Sequence, residues 1–305
     1  MQRRVLVKID LIQDMNEIVA KQWLERNDIP MPQDKNNLLE FLRWYRLQIP
    51  QIPRRVFISK ELKHSENFKK YEKEIIYLEN KFKNGEDVMP FTSKRKKPTF
   101  YNGNPNDDYL LNDWNIHHFH LNTQLDKDNK IQRSKYLLFC FIDERNVYFL
   151  NIYPHTNNWT NKNLLEIMDN NWGNVLEQYR MEIKPILNPN NDEIKEFRKF
   201  QIISSVTIGN GKSFLTPGGG YTLDGTSTQV LFWRISIDKQ LRGIEAMFKE
   251  RKININETIN SVQLFDCLSF ETDKSKIRLT NLWFLINGKR GLNVQNYDGY
   301  FTYFS

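Results

Sequence analysis

WNIHHFHL, residues 114–121, alternates so that Ile116, His118 and His120 share one side while His117, Phe119 and Leu121 share the other. That period of two is the signature of a β-strand. Two further strand-like runs follow closely, KYLLFCFI (135–142) and VYFLNIY (147–153). The middle run is apolar at nearly every position, as expected of a central strand covered on both faces. DERN (143–146) suits a hairpin connection. NKNLLEIMDNNWGNVLEQYR (161–180) then places Leu165, Met168, Trp172, Leu176 and Tyr179 on one helical face. Three strands and a helix predict a small antiparallel sheet-plus-helix core.

Upstream, the spacing predicts helices. Asp14 can cap one that carries Met15, Ile18, Val19 and Trp23. Leu38, Leu42 and Tyr45 mark a second, ended by IPQIPRR (49–55). A third starts at Ser65, carries Phe68, Tyr71, Ile75, Leu78 and Phe82, and closes at Gly85. Its apolar seam asks for a partner helix. Downstream, SSVTIGN (204–210), TQVLFWRISI (228–237), NLWFLING (281–288) and GYFTYF (299–304) read as strands around a helix, DKQLRGIEAMFKER (238–251). At 305 residues the chain exceeds one ordinary compact domain. The expected architecture is therefore α+β in three segments: a basic helical region (1–98), an α+β core with the histidines (99–180) and a β-rich C-terminal domain (181–305).

The net charge of +7 is unevenly placed. Residues 1–98 hold 21 Lys and Arg against 14 Asp and Glu, residues 99–180 hold 7 against 10, and the remainder 16 against 13. A basic first third suggests a polyanionic partner, RNA or DNA before a membrane; a solvated lysine-rich surface is the alternative. Lys94, Arg95, Lys96 and Lys97 form a charged tether that can touch phosphates or simply be a hydrated linker. No apolar run reaches the roughly 20 residues that cross a bilayer, and the opening MQRRVLVKIDLIQDM is too charged for a signal peptide. Cys140 and Cys267 stand alone in apolar runs and read as buried thiols of a reducing, cytoplasmic compartment.

Three of the five histidines fall within four positions. In an up-down-up meander the first strand ends where the second begins and the third ends. His120, Arg133 and His155 should therefore gather at one rim, with His118 about 7 Å inward along the strand. If Phe119 and Leu121 enter the core, His118 and His120 face a cleft or solvent. Two imidazoles and a guanidinium suit RNA cleavage by the 2′-hydroxyl. Histidine moves protons near neutral pH, and arginine clamps phosphate oxygens. The expected roles are His118 or His120 as base, His155 as acid and Arg133 as clamp, with Tyr148 and Trp159 stacking a base and no metal or cofactor required. Two other readings stay open. The histidines can be structural in a non-catalytic protein that binds nucleic acid or a protein partner, which is also the reading given to His64. Alternatively an HxH pair with a third histidine and Asp107, Asp108 or Asp113 can hold a catalytic metal. GNGKSFLTPGGGYTLDGTS (209–227) is not a phosphate-binding Walker loop: Val206 stands where the first glycine belongs and FLTPGGG cannot open a helix. It reads as a hairpin or binding loop.

The order HHFHL, QRSKYLLFCFI, VYFLNIYPH and then a helix resembles the core of RelE-type toxin endoribonucleases and related small α+β nucleases. The resemblance covers residues 113–180. It implies a metal-independent RNA-cutting site built from an arginine-bearing hairpin and a residue ending a later strand, carried here by His118, His120, Arg133 and His155. It also implies a toxin or antiviral effector with a regulatory protein partner. The chain departs from the family pattern in its length, in lacking helices directly before the sheet, and in lacking the lysines around the toxin site.

Overall fold

A computed structural model describes residues 7–26, 37–92, 108–124, 126, 131–156, 158–250, 259–272 and 277–294. The tether at 94–97, Asp107 and the GYFTYF run lie outside the described residues. The fold is α+β. Contacts divide the chain into two compact units: residues 1–46, 98–100 and 229–305 form one, and 47–97 with 101–228 form the other. These units are not consecutive blocks and cut across the expected boundaries at 98 and 180. Of the first third, the described residues 47–92 of the second unit hold 9 Lys and Arg against 7 Asp and Glu.

That second unit is built on four strands, β1 (Arg55–Ile58), β2 (Ile116–His120), β3 (Tyr136–Ile142) and β4 (Asn146–Pro154), in the order β1-β4-β3-β2. The β2-β3-β4 meander is antiparallel, as its runs predict, while β1 joins β4 in parallel. Helices cover both faces. On one, Leu137, Phe139, Phe141, Tyr148 and Leu150 pack with Leu164, Leu165 and Met168 of the helix Asn163–Leu176. On the other, Leu138, Cys140, Val147 and Phe149 pack with Ile75, Leu78 and Phe82 of the helix Glu72–Asn84. The seam of that helix thus finds a sheet rather than a partner helix. Each such side chain contributes roughly 1.5–3 kcal/mol on burial. Ser65 caps the preceding turn by accepting from Phe68 N at 3.1 Å, and Gly85 closes the helix in the left-handed region at φ +70°. The helix is interrupted at Tyr71, whose φ and ψ of −114° and 23° leave the helical range.

The glycine-rich stretch supplies the turn and second strand of a hairpin, β5 (Val206–Thr207) with β6 (Ser213–Phe214), and then a loop laid against the helix Tyr109–Trp114. Gly218 donates to Asp113 O at 2.9 Å and Gly220 to Asn112 O at 2.8 Å. A Cβ on Gly218 would stand 2.3 Å from Leu111 O and 2.4 Å from Asn112 O. Gly218→Ala should therefore push the loop off the helix end and cost on the order of 2 kcal/mol, read as a lower denaturation midpoint at unchanged slope.

The other unit carries helical segments over residues 11–26, including a π-helical turn at Met15–Val19, and the helices Asn37–Leu47 and Thr228–Lys249. Its sheet is β7 (Val262–Thr272), β8 (Ile277–Ile286) and β9 (Lys289–Val294). TQVLFWRISI is not a strand; it is the first half of the helix Thr228–Lys249. Its β-branched and aromatic content favours a strand locally, but Val230, Trp233, Ile237, Leu241, Ile244 and Phe248 form one buried helical stripe, and tertiary burial overrides propensity. The first cap also differs: Asp10, not Asp14, accepts from Gln13 N at 3.0 Å. Asp14 instead accepts from Leu264 N at 2.9 Å, and burial raises its carboxyl to about 6. Among the described residues, no helix is long and apolar enough to cross a membrane.

Candidate active site

The antiparallel register puts His120 opposite Leu137, and Leu137 opposite Tyr153. The end of β2, the start of β3 and the end of β4 therefore meet. His155 follows β4 there, held by its backbone N–H on Lys135 O at 2.9 Å. The His120 and His155 rings lie face to face, centroids 5.9 Å apart and planes 23° from parallel. The His155 ring meets the edge of Trp159 at 5.5 Å, and Trp159 in turn meets His118 at 4.7 Å. Arg133 stands close enough to His120 for its charge to weigh on the imidazole. The structure thus brings His118, His120, Arg133, His155 and Trp159 to one rim.

Accessibility divides that set. His155 and Arg133 are exposed. His118 is only 6% and His120 only 3% exposed, so neither faces a cleft or solvent as the strand alternation alone suggests. Trp159 and Phe139 lie against His118, in the same layer as the helix Asn163–Leu176. Burial, with the charges of His155 and Arg133, lowers the His120 pKa from its ordinary 6.5 to about 4. Its Nδ1 accepts from Ser134 N at 3.2 Å. The proton of the neutral ring therefore sits on Nε2. Ser134 is itself locked in place: its hydroxyl donates to Tyr136 O and accepts from Leu121 N at 3.0 Å.

A neutral, buried imidazole makes the fold sensitive to acid. The unfolded chain binds a proton at His120 below about pH 6.5, and the folded chain only near 4. Stability is complete above the unfolded value and is lost as pH falls through that window, by on the order of 3 kcal/mol. His120→Gln should flatten this decline, measured by urea titrations between pH 7 and 4.

Trp159 is held by a buried ion pair that sequence reasoning did not find. Arg198, on the helix Asn191–Lys199, donates to Asp113 Oδ2 from Nη2 at 2.8 Å and from Nε at 3.1 Å, and its Nη1 donates to Trp159 O. The guanidinium also lies 4.7 Å over the Trp114 ring. Arg198 and Asp113 are 5% and 3% exposed. Burial raises the Asp113 carboxyl and Arg198 opposes that rise. An arginine in the charged run KEFRK carries no local sign that it turns inward.

Of the remaining residues, Asp108 approaches the cluster and the others go elsewhere. Asp113 is engaged by Arg198 rather than aimed at the histidines. Asp108 caps the helix Tyr109–Trp114, and its Oδ2 stands 3.8 Å from His118 Nδ1. Among the described residues, no group of three His, Cys, Asp or Glu is placed to hold a metal ion. Tyr148 belongs to the opposite end of β4, seven residues from His155 and so about 23 Å away along the strand. Its hydroxyl is 3.4 Å from Asp143 Oδ2, and burial with that carboxylate pushes its pKa up to about 12. His64 ends the short helix Lys60–Lys63. Cys140 is fully buried, which raises its thiol pKa far above the usual value.

No protein-family model matches the chain, and neither a curated protein nor a solved structure matches it significantly.

Proposed function

We propose that the chain is a metal-independent endoribonuclease acting at the His155–Arg133 rim. The observation that supports this most directly is the approach of an exposed imidazole and an exposed guanidinium to a buried imidazole locked in its neutral form. In this reading Arg133 holds the scissile phosphate through its planar fork. His155, the accessible imidazole, takes the 2′-hydroxyl proton as the 2′-oxygen attacks phosphorus. His120 does not serve as base, because Ser134 occupies Nδ1 and Nε2 carries a proton; buried at 3% exposure, it supports the His155 ring stacked on it rather than touching substrate. The bond from phosphorus to the 5′-oxygen breaks, and water protonates that oxygen. The products are a 2′,3′-cyclic phosphate and a 5′-hydroxyl. His118, covered by Trp159, positions the rim rather than touching substrate. A toxin or antiviral effector is the biological role implied by the resemblance to the RelE-type nucleases.

Incubating single-stranded RNA with the protein in excess EDTA tests this. Cyclic-phosphate ends are expected, and a substrate with 2′-deoxyribose at the cut position should survive intact. Cleavage of that deoxy substrate, or none of either, would overturn the reading. A second reading, a non-catalytic nucleic-acid-binding protein, is favoured by the burial of His117, His118 and His120 at 5%, 6% and 3% exposure. It expects RNA binding with a steep salt dependence, no turnover, and no response to substitution of His155.

A further inference from the structure

A second place on the same unit has the chemistry of a nucleic-acid contact. An open groove of about 540 Å³ is lined by Pro53, Arg54, Arg55, Val56, Lys83 and Arg145. Its cations are held in position by the sheet. Arg55 and Arg145 are exposed neighbours, because Arg55 N donates to Arg145 O at 2.9 Å as β1 enters its parallel pairing with β4. Lys83 comes from the last turn of the helix Glu72–Asn84 and is shared with Glu79 at 2.5 Å. Arg54 is different. It is 6% exposed, and its guanidinium donates to Asp143 O at 3.2 Å and Pro50 O at 2.8 Å, so it braces the wall.

Beside these charges stands an aromatic surface. Phe57 lies on the same side of β1 as Arg55, two residues along, and is 38% exposed. Its ring stacks on Tyr148 at 5.3 Å and 15° from parallel, with Trp172 edge-on at 6.5 Å. Two rings thus back an open one. Cations that track a backbone next to a braced aromatic face are what an unpaired strand requires, since a base stacks on a side chain only when it is not in a duplex.

We propose that this groove and Phe57 bind a single strand of RNA, phosphates on Arg55, Lys83 and Arg145 and a base on Phe57, as a subsite remote from the histidine rim. The polymer's identity rests on the functional reading above; the chemistry of the groove does not. β4 runs from Asn146 beside the groove to Pro154 beside His155, eight residues or about 26 Å. Only a substrate several nucleotides long reaches both places, which makes the groove a selector for long strands over dinucleotides.

The test is fluorescence anisotropy with a labelled, single-stranded twenty-nucleotide oligouridylate, methylated at every 2′-hydroxyl so that the rim cannot cut it, at several salt concentrations. The combined variant Arg55→Gln, Lys83→Gln, Arg145→Gln should bind about a hundredfold more weakly near 0.1 M salt, its log–log salt slope shallower by about 2. Phe57→Ala should lose roughly tenfold at unchanged slope and leave duplex RNA binding unaltered. The substituted residues are exposed, and circular dichroism with thermal melting checks that the variants fold. Wild-type affinity and slope in the charge variant would overturn the proposal. So would full affinity in Phe57→Ala, which would make the groove a site for phosphate alone. Binding needs no turnover, so the two readings fail separately. Lost binding by the charge variant of a chain that never cuts RNA upholds the groove and removes the rim. Cleavage with unchanged binding does the reverse.

Discussion

His155→Ala is expected to lower kcat/KM for single-stranded RNA by about 10²- to 10⁴-fold, the usual contribution of a positioned general acid or base. The loss should fall on kcat more than on KM, because the imidazole acts on a proton in flight while Arg133 and more distant contacts hold the strand. The variant should melt at the wild-type temperature, since His155 is exposed and its side chain supports no core. Arg133→Lys sharpens the test. It keeps the charge but loses the planar fork, so activity should fall by an intermediate amount rather than persist. Equal turnover by wild type and His155→Ala would remove the rim from catalysis.

Arg198→Met is expected to cost about 3–5 kcal/mol, the range for breaking one side of a buried ion pair. Most of that comes from what stays behind: the Asp113 carboxylate, 3% exposed, with its cation gone. For a unit of this size the melting temperature should drop by roughly 10 °C or more. The sign of the pH response identifies the cause. Without Arg198 the folded carboxyl pKa rises further above its unfolded value, so the deficit should shrink on acidification and grow as pH rises. Adding Asp113→Leu should restore much of the loss, because no buried charge then remains. The single variant should also lose RNA cleavage. Trp159 O gives up its donor, and Trp159 is the ring set between His118 and His155.

The meander was legible because β2, β3 and β4 each carry a clear period or an unbroken apolar run, and because antiparallel strands dictate which ends meet. Hence the neighbourhood of His120, Arg133 and His155 follows from chain order. Burial was not legible. Whether His118 sees water depends on Trp159, and Trp159 is anchored by Arg198, some forty residues further along. The fourth strand was missed because RVFI is only four residues long and follows a proline-bearing stretch, too short for a period to show. TQVLFWRISI misled in the opposite direction: its composition favours a strand, and only the stripe continuing to Phe248 reveals the helix. Ser134, which fixes the tautomer of His120, carries no signal in sequence at all.

The first unit is assembled from both ends of the chain: Lys8 forms a parallel bridge to Ser261, and Val262 N donates to Lys8 O at 2.9 Å. Leu11, Met15 and Trp23 share their core with Val262, Leu264 and Phe284. A ribosome releases the sheet bearing the histidines well before those later strands exist. The nascent amino-terminal helices must therefore wait, apolar side chains uncovered, while the inserted unit folds first; this is the interval in which a chaperone has most to do.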